Sequence, residues 1–366
     1  MPEGAPGPSD LRRLAVLFLR LGITAFGGPA AHIAMMEDEV VKRRRWLTRE
    51  EFLDLPGATQ LIPGPNSTEL AIHIGHLRGA WPGLLVAGTC FILPAAFLVT
   101  AIAWGYLRFG RLPEAEGILY GVKPVIIVVV LQALWRFGRS ALKSRPLVAL
   151  ALLVTAGSLA GLHELVVLFA AGAASMAMRL GWGRAGGGLA CIAPLGAAIA
   201  GAPAAAASAP VAFGLWPLFL FFLKVGSVLF GSGYVLLAFL RADLVERWKW
   251  LTEGQLLDAV AVGQLTPGPV FTTATFIGYL LAGGVGAAVA TIGIFLPAFV
   301  FVAISGPLVP RVRRSALAGA FLDGINVGSL ALMALVTVQL ARVALIDAVT
   351  VLLAVACAVL LFRCRG

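Results

Sequence analysis

Phe18 to Gly28 reads FLRLGITAFGG, and 204 residues later Phe222 to Ser232 reads FLKVGSVLFGS. The same offset pairs Trp46-Leu47-Thr48 with Trp250-Leu251-Thr252, Asp54 with Asp258, Gln60 with Gln264, and Pro63-Gly64-Pro65 with Pro267-Gly268-Pro269. After a one-residue gap the offset becomes 203, and Gly75, Leu93-Pro94-Ala95 and Gly121 meet Gly278, Leu296-Pro297-Ala298 and Gly324. So many matches at one spacing describe a duplicated chain. Residues 1–13 form a polar tail, 14–162 a first repeat, 163–213 a linker with two apolar spans, and 214–366 a second repeat.

Composition says where such a chain lives. Charged residues make up 13% of the 366, about half the share of a soluble domain, against 60% hydrophobic residues and a mean hydropathy of +0.94. The longest run without charge, Ala259 to Pro310, covers 52 residues and reads as membrane. The 43 Gly and 21 Pro imply helices that are interrupted or closely packed. The formal charge of +10 sits in short loops, which suits the orientation of a membrane protein and argues against nucleic acid. Cys90, Cys191, Cys357 and Cys364 show no metal or redox spacing and read as small core residues. The start MPEGAPGPSDLRR does not read as a removable signal peptide.

The fold class expected is an all-α polytopic membrane protein of two homologous, inverted repeats with broken or re-entrant helices. Each repeat opens on an apolar helix broken at Gly27-Gly28-Pro29 or Gly231-Ser232-Gly233. An amphipathic WLTREEF or WLTEGQL stretch and an element around the Pro-Gly-Pro follow. Longer spans lie near 82–106, 117–135 and 147–162, with counterparts near 284–305, 324–341 and 348–362, and two linker spans near 165–178 and 187–206. If the broken elements are hairpins, ten basic residues (Lys42, Arg43, Arg44, Arg45, Arg49, Arg78, Arg136, Arg139, Lys143, Arg145) share a face against Arg108 and Arg111. Full crossings would make that seven against five, so the positive-inside rule favours hairpins. Five crossings then separate equivalent points, and an odd number inverts the second half. The second half's own basic residues are nearly balanced.

The Pro-Gly-Pro strings carry the chemistry. Pro63 and Pro65 cannot continue a helix but can begin one, leaving the first N–H groups of Asn66, Ser67 and Thr68 free to face an anion. Pro267, Gly268 and Pro269 set up Phe271, Thr272 and Thr273 in the same way, while Gln60 and Gln264 add amides. Gly64 and the breaks at Gly27, Gly28 and Gly231 let backbone approach a ligand. Arg20 and Lys224 occupy equivalent places before the breaks, either serving the anion or snorkelling to the interface. Lys123 lies between Gly117 and Val130 with no other charge beside it, and its counterpart Asn326 is neutral, so the halves differ in role. Glu69 follows the first Pro-Gly-Pro by one turn, and either binds a coupling proton or forms an ion pair. Packing alone remains the plain alternative for both Pro-Gly-Pro breaks. His73 and His76 lack a third ligand for a metal. Asn66-Ser67-Thr68 as a glycosylation sequon and the GxGxxG at 181–186 are chance matches. No enzymatic nucleophile set or Walker motif is present, and no cofactor is expected.

FGGP, WLT with its following acids, PGPNSTELAIHIG, FILPA, FGSGYV and QLTPGPV resemble the chromate ion transporter family in its two-domain form, over roughly Leu14 to Arg342. That resemblance implies a carrier of the bacterial or archaeal inner membrane that exports chromate, with sulfate as the structurally similar dianion, and antiparallel halves. It implies an oxyanion and the lipid bilayer as partners; a homodimer is compatible with it. An anion channel or a sulfate-type carrier of the same architecture is the competing reading. Val270 stands where the first half has Asn66, so the two Pro-Gly-Pro sites are not equivalent donors.

Overall fold

The computed structural model describes residues 8–26, 28–60, 62–110, 112–181, 211–230 and 235–363, and among them every regular element is helical. The first repeat supplies α1 (Pro8–Thr24), α2 (Gly28–Glu37), a π-helical segment (Asp38–Arg43), α3 (Arg49–Thr59), α4 (Asn66–Phe109), α5 (Pro113–Ala141) and α6 (Arg145–Leu159). The linker adds α7 (Glu164–Arg179); its second apolar span, near 187–206, lies outside the described residues. The second repeat supplies α8 (Leu215–Val228), α9 (Leu236–Phe239), a π-helical segment (Leu240–Arg247) and α10 (Glu253–Leu265). It continues with a 3₁₀ turn (Val270–Thr272), α11 (Thr273–Arg314), α12 (Ala316–Ala344) and α13 (Ala348–Arg363).

The duplication is visible in the backbone itself. Arg45 and Lys249, 204 apart, are left-handed at φ 52° and 55°, each just beyond its π-helical segment. The N–H groups of Trp46 and Leu47 return to the Val40 carbonyl, as those of Trp250 and Leu251 return to Leu244. Thr48 with Glu51 and Thr252 with Gln255 then close the same capping box at the start of α3 and α10. Donation from the Thr48 backbone and hydroxyl holds the Glu51 carboxyl below the usual carboxylate range.

Helices α4 and α11 are folded in two. Non-helical backbone at Gly79–Ala80 and at Ala282–Gly283 divides each into a short arm after its Pro-Gly-Pro and a long apolar arm. Pro82 stands in the first turn of its long arm, where an N–H would have had no partner. The arms of α4 run back against each other: a side chain at Gly75 would meet the Gly83 carbonyl at 2.3 Å, and one at Gly278 would meet that of Gly286 at 2.2 Å. Only glycine permits that approach. Gly75→Val is accordingly expected to prevent accumulation of folded protein in the membrane, read by fluorescence-detected gel filtration; a normal monodisperse peak would refute the close approach. The separate element and span expected on either side of residue 80 are therefore one hairpin.

Two compact units emerge, and each draws on both repeats. The first comprises residues 1–116, 213–229 and 259–310. Within it α1 packs on the long arm of α4, where Pro94 has no N–H to offer the Cys90 carbonyl and Gly22 lies close over the carbonyls of Cys90 and Phe91. Gly226 of α8 does the same over Ile294 and Pro297 of α11. The second unit comprises residues 117–212, 230–258 and 311–366, with α12 packed against α6 and α7. Arg247 there joins Glu164 and Asp243, reproducing in the second repeat the i,i+4 pair of Arg43 with Glu39.

Candidate functional site at the Pro-Gly-Pro turns

A Pro-Gly-Pro string has three residues and a single N–H. Gly64 donates its N–H to the Leu229 carbonyl at 2.8 Å, and Gly268 donates to the Ala25 carbonyl at 2.9 Å. Ala25 and Leu229 are themselves 204 apart and close the first helix of each repeat. Each turn is thus fastened to the helix break of the opposite repeat. The surroundings repeat the exchange: a side chain at Gly64 would contact Ala298, and one at Gly268 would meet the Ala95 methyl at 2.6 Å. His32 adds a second bond to Ala25, its Nε2 lying 3.1 Å from the carbonyl. Its counterpart by the 204 offset is Leu236, so only one of the two clasps carries this reinforcement.

The glycine conformations belong to these clasps, with φ 139° at Gly64 and 90° at Gly268. Beyond them the halves diverge. In the second, Thr272 Oγ1 donates to Pro269 and Thr273 Oγ1 to Val270, so both buried hydroxyls are satisfied inside their own turn. In the first, Thr68 Oγ1, both oxygens of Glu69 and Nε2 of His73 are buried with no hydrogen-bond partner among the described residues. Thr68 and Glu69 are fully enclosed at 0% exposure, and Glu69 Oε1 lies directly beneath Gly64. Orphaned buried polar atoms are uncommon, and each calls for a partner such as an ordered water, an ion or a ligand.

Expected donors fare unequally. The N–H of Thr68 is not free, as its spacing had suggested: it donates to Pro65 at 2.8 Å, and Thr272 likewise donates to Pro269 at 3.0 Å, because each turn tightens as its helix begins. Gln60 is exposed and Gln264 half-buried, while Ser67 is buried beside Thr68. Gly28 begins α2 at φ 77°. Gly27 and Gly231 lie outside the described residues. Arg20 is exposed and reaches Glu39 at 3.5 Å; Lys224 lies over the Phe221 ring at 5.5 Å. Arg20, Lys224, Glu69 and both Pro-Gly-Pro turns belong to the first compact unit, whereas Lys123 and Asn326 belong to the second. There Lys123 Nζ stands 3.1 Å from Asp258 Oδ1, with side-chain exposures of 25% and 5%.

The site contains one residue that the sequence reading set aside. His73 is four residues beyond Glu69 and shares its helix face, and His76 continues the stripe, its ring edge-on to Trp81 at 6.0 Å. The i, i+4, i+7 spacing of Glu69, His73 and His76 was the available signal. Among the described residues no group of three or more His, Cys, Asp or Glu could hold a metal ion.

Among the described residues four helices are long and apolar enough to cross a membrane, and the broken helices of the two repeats are fastened together at the Pro-Gly-Pro turns, which makes this a multi-pass helical membrane protein. The chain belongs to the chromate transporter family, whose profile matches residues 12–178 and 216–365. It is 34% identical over 328 residues to a chromate transport protein of Cupriavidus metallidurans, covering 87% of this chain and 80% of that one. A chromate transport protein of Pseudomonas aeruginosa is 33% identical over 339 residues, with 90% and 81% covered. An uncharacterised transporter of Bacillus subtilis is 31% identical over 131 residues, 36% of this chain and 74% of its own. No solved structure matches the chain significantly.

Proposed function

We propose that this protein is a secondary carrier that exports chromate, a tetrahedral oxyanion resembling sulfate, across the inner membrane. Family membership and the chromate transport proteins it resembles support the substrate. The observation that carries the mechanism is the unpartnered group of Thr68, Glu69 and His73 behind the first Pro-Gly-Pro turn. Thr68 and His73 can donate to an oxyanion there, and Glu69 can exchange a proton with water when the turn opens. A dianion also needs fixed positive charge, because a helix N-terminus contributes about half an elementary charge. We assign that charge to Lys123, the most deeply placed cation by sequence, which pairs with Asp258 inside the second unit. Arg20 and Lys224 are the alternative cations, and Asn326 is the neutral polar counterpart of Lys123 in the second half.

Export needs no further energy source than the membrane potential. Two negative charges leaving a negative interior gain about 4.6 kcal/mol per 100 mV, enough for a gradient of roughly 10³-fold. Everted vesicles are therefore expected to accumulate chromate, to lose that accumulation when the potential is collapsed with valinomycin and potassium, and to be inhibited by excess sulfate. Uptake that survives collapse of the potential would refute the driving force. Large single-channel currents in planar bilayers, without exchange stimulated from the opposite side, would refute the carrier.

The reciprocal clasps also support inversion of the second half, since two equivalent elements that exchange the same bond are related by a two-fold operation. Cysteines placed near Arg43 and Arg247 are expected to react with impermeant reagents from opposite faces of the membrane. Reaction from one face would sink the inverted topology.

A further inference from the structure

We propose that a cleft on the second compact unit, between α5, α6 and α12, holds one acyl chain of an anionic phospholipid of the surrounding bilayer, with the phosphate on Arg139. The cleft has a volume of about 660 Å³, and Arg139 and Thr155 are the polar side chains among its lining residues. The Thr155 hydroxyl is already spent on the Ala151 carbonyl, so the walls offer nothing to a polar ligand below Arg139. Below Arg139 the lining runs along α5 down to Leu131, about 12 Å at helical rise. That is most of the depth of one leaflet, half of a hydrocarbon core about 30 Å thick. A methyl at Gly138 would just touch Leu330, at 3.7 Å, so these two residues form a close wall of the cleft.

Charge and aromatic placement say which end meets the headgroup. Arg139 lies in the last turn of α5, exposed, and makes no ion pair among the described residues. Arg136 and Arg145 are exposed close by in sequence, whereas Lys143 is already engaged, 2.8 Å from Asp323. Trp135, 62% exposed, borders the cleft one turn below Arg139, where an interfacial indole would lie. An apolar slot most of a leaflet deep, capped by an uncommitted guanidinium and an exposed indole, matches a lipid with a negative headgroup better than a neutral one. This reading needs only the membrane setting and does not depend on the transported anion.

The test is native mass spectrometry of the full-length protein, released from mild detergent with equal phosphatidylglycerol and phosphatidylcholine added. The wild type should retain one phosphatidylglycerol in preference to phosphatidylcholine. Arg139→Gln should lose about fivefold of that preference, the worth of one basic residue at an anionic surface, and Arg139→Lys should keep most of it. Ala151→Trp, which fills the slot, should release both lipids while the protein still elutes as folded. Equal retention of the two lipids by the wild type, an unchanged preference in Arg139→Gln, or undiminished retention in Ala151→Trp would each overturn the site. A disulfide formed in membranes between Leu152→Cys side chains of two copies would overturn it too, by showing that a second chain covers the cleft.

Discussion

Gly64→Ala is expected to abolish transport. At φ 139° an alanine is strained by about 1–3 kcal/mol before any contact is counted. Its methyl would then meet Glu69 Oε1 at 2.3 Å and displace the turn from the carbonyl of Leu229. Both effects act on the turn beside Glu69, so chromate accumulation in everted vesicles should fall by at least about tenfold, which 1.4 kcal/mol already produces. Gly268→Ala should behave similarly, since its methyl would press into Ala95. Gly105→Ala, with nothing within 4 Å, is the matched control and should transport normally. Wild-type accumulation by Gly64→Ala at equal membrane levels would mean that the first turn is peripheral to the translocation path.

Lys123→Gln is expected to cost both protein and activity, and a second substitution separates the two losses. Removing the ammonium takes from Asp258, 5% exposed, the ion pair it makes at 3.1 Å. Breaking a buried pair from one side typically costs about 3–5 kcal/mol, and the quarter exposure of Lys123 places this case toward the lower end. Lys123→Gln with Asp258→Asn removes both charges and should return the protein to normal membrane levels. Chromate transport should nevertheless stay low, because the dianion still lacks its cation, while Lys123→Arg should retain part of it. Recovery of transport in the double variant would show that the pair is a strut, and would move the search for the cation to Arg20 and Lys224.

Local patterns made the helices legible. Apolar runs placed the span read near 117–135 within α5, the span near 147–162 on α6 and the span near 348–362 on α13, because a membrane helix needs length and hydropathy and little else. The repeat could be aligned by eye, and its Trp-Leu-Thr boxes and Pro-Gly-Pro turns adopt matching backbones. What escaped was set by tertiary contacts, eight residues apart at the hairpin and more than 150 apart at the clasps. Gly79 and Pro82 announce a break near Ala80, but not that the chain reverses there; the approach of Gly75 to Gly83 enforces the reversal, with Ala80 at φ 46°. The two π-helical segments are equally silent in the sequence. At the site, the Pro-Gly-Pro turns were read correctly as helix starts, yet the partner of each glycine N–H lies in the other repeat. His73 was weighed as a metal ligand and so was not connected with Glu69, one turn away on the same helix face.

The crossed clasps bear on how such a chain could have come about. A polypeptide carrying one repeat owns the donor of one bond and the acceptor of the other, and can close neither by itself. Folding would oblige it to find a second molecule, at a rate limited by encounter in the plane of the membrane. Joining the two copies in one chain turns that encounter into an intramolecular event with a fixed effective concentration. Once association no longer depends on abundance, the copies are released from self-complementarity. One can keep Glu69 and His73 while the other keeps Thr272 and Thr273, so division of labour between the halves follows from the covalent link.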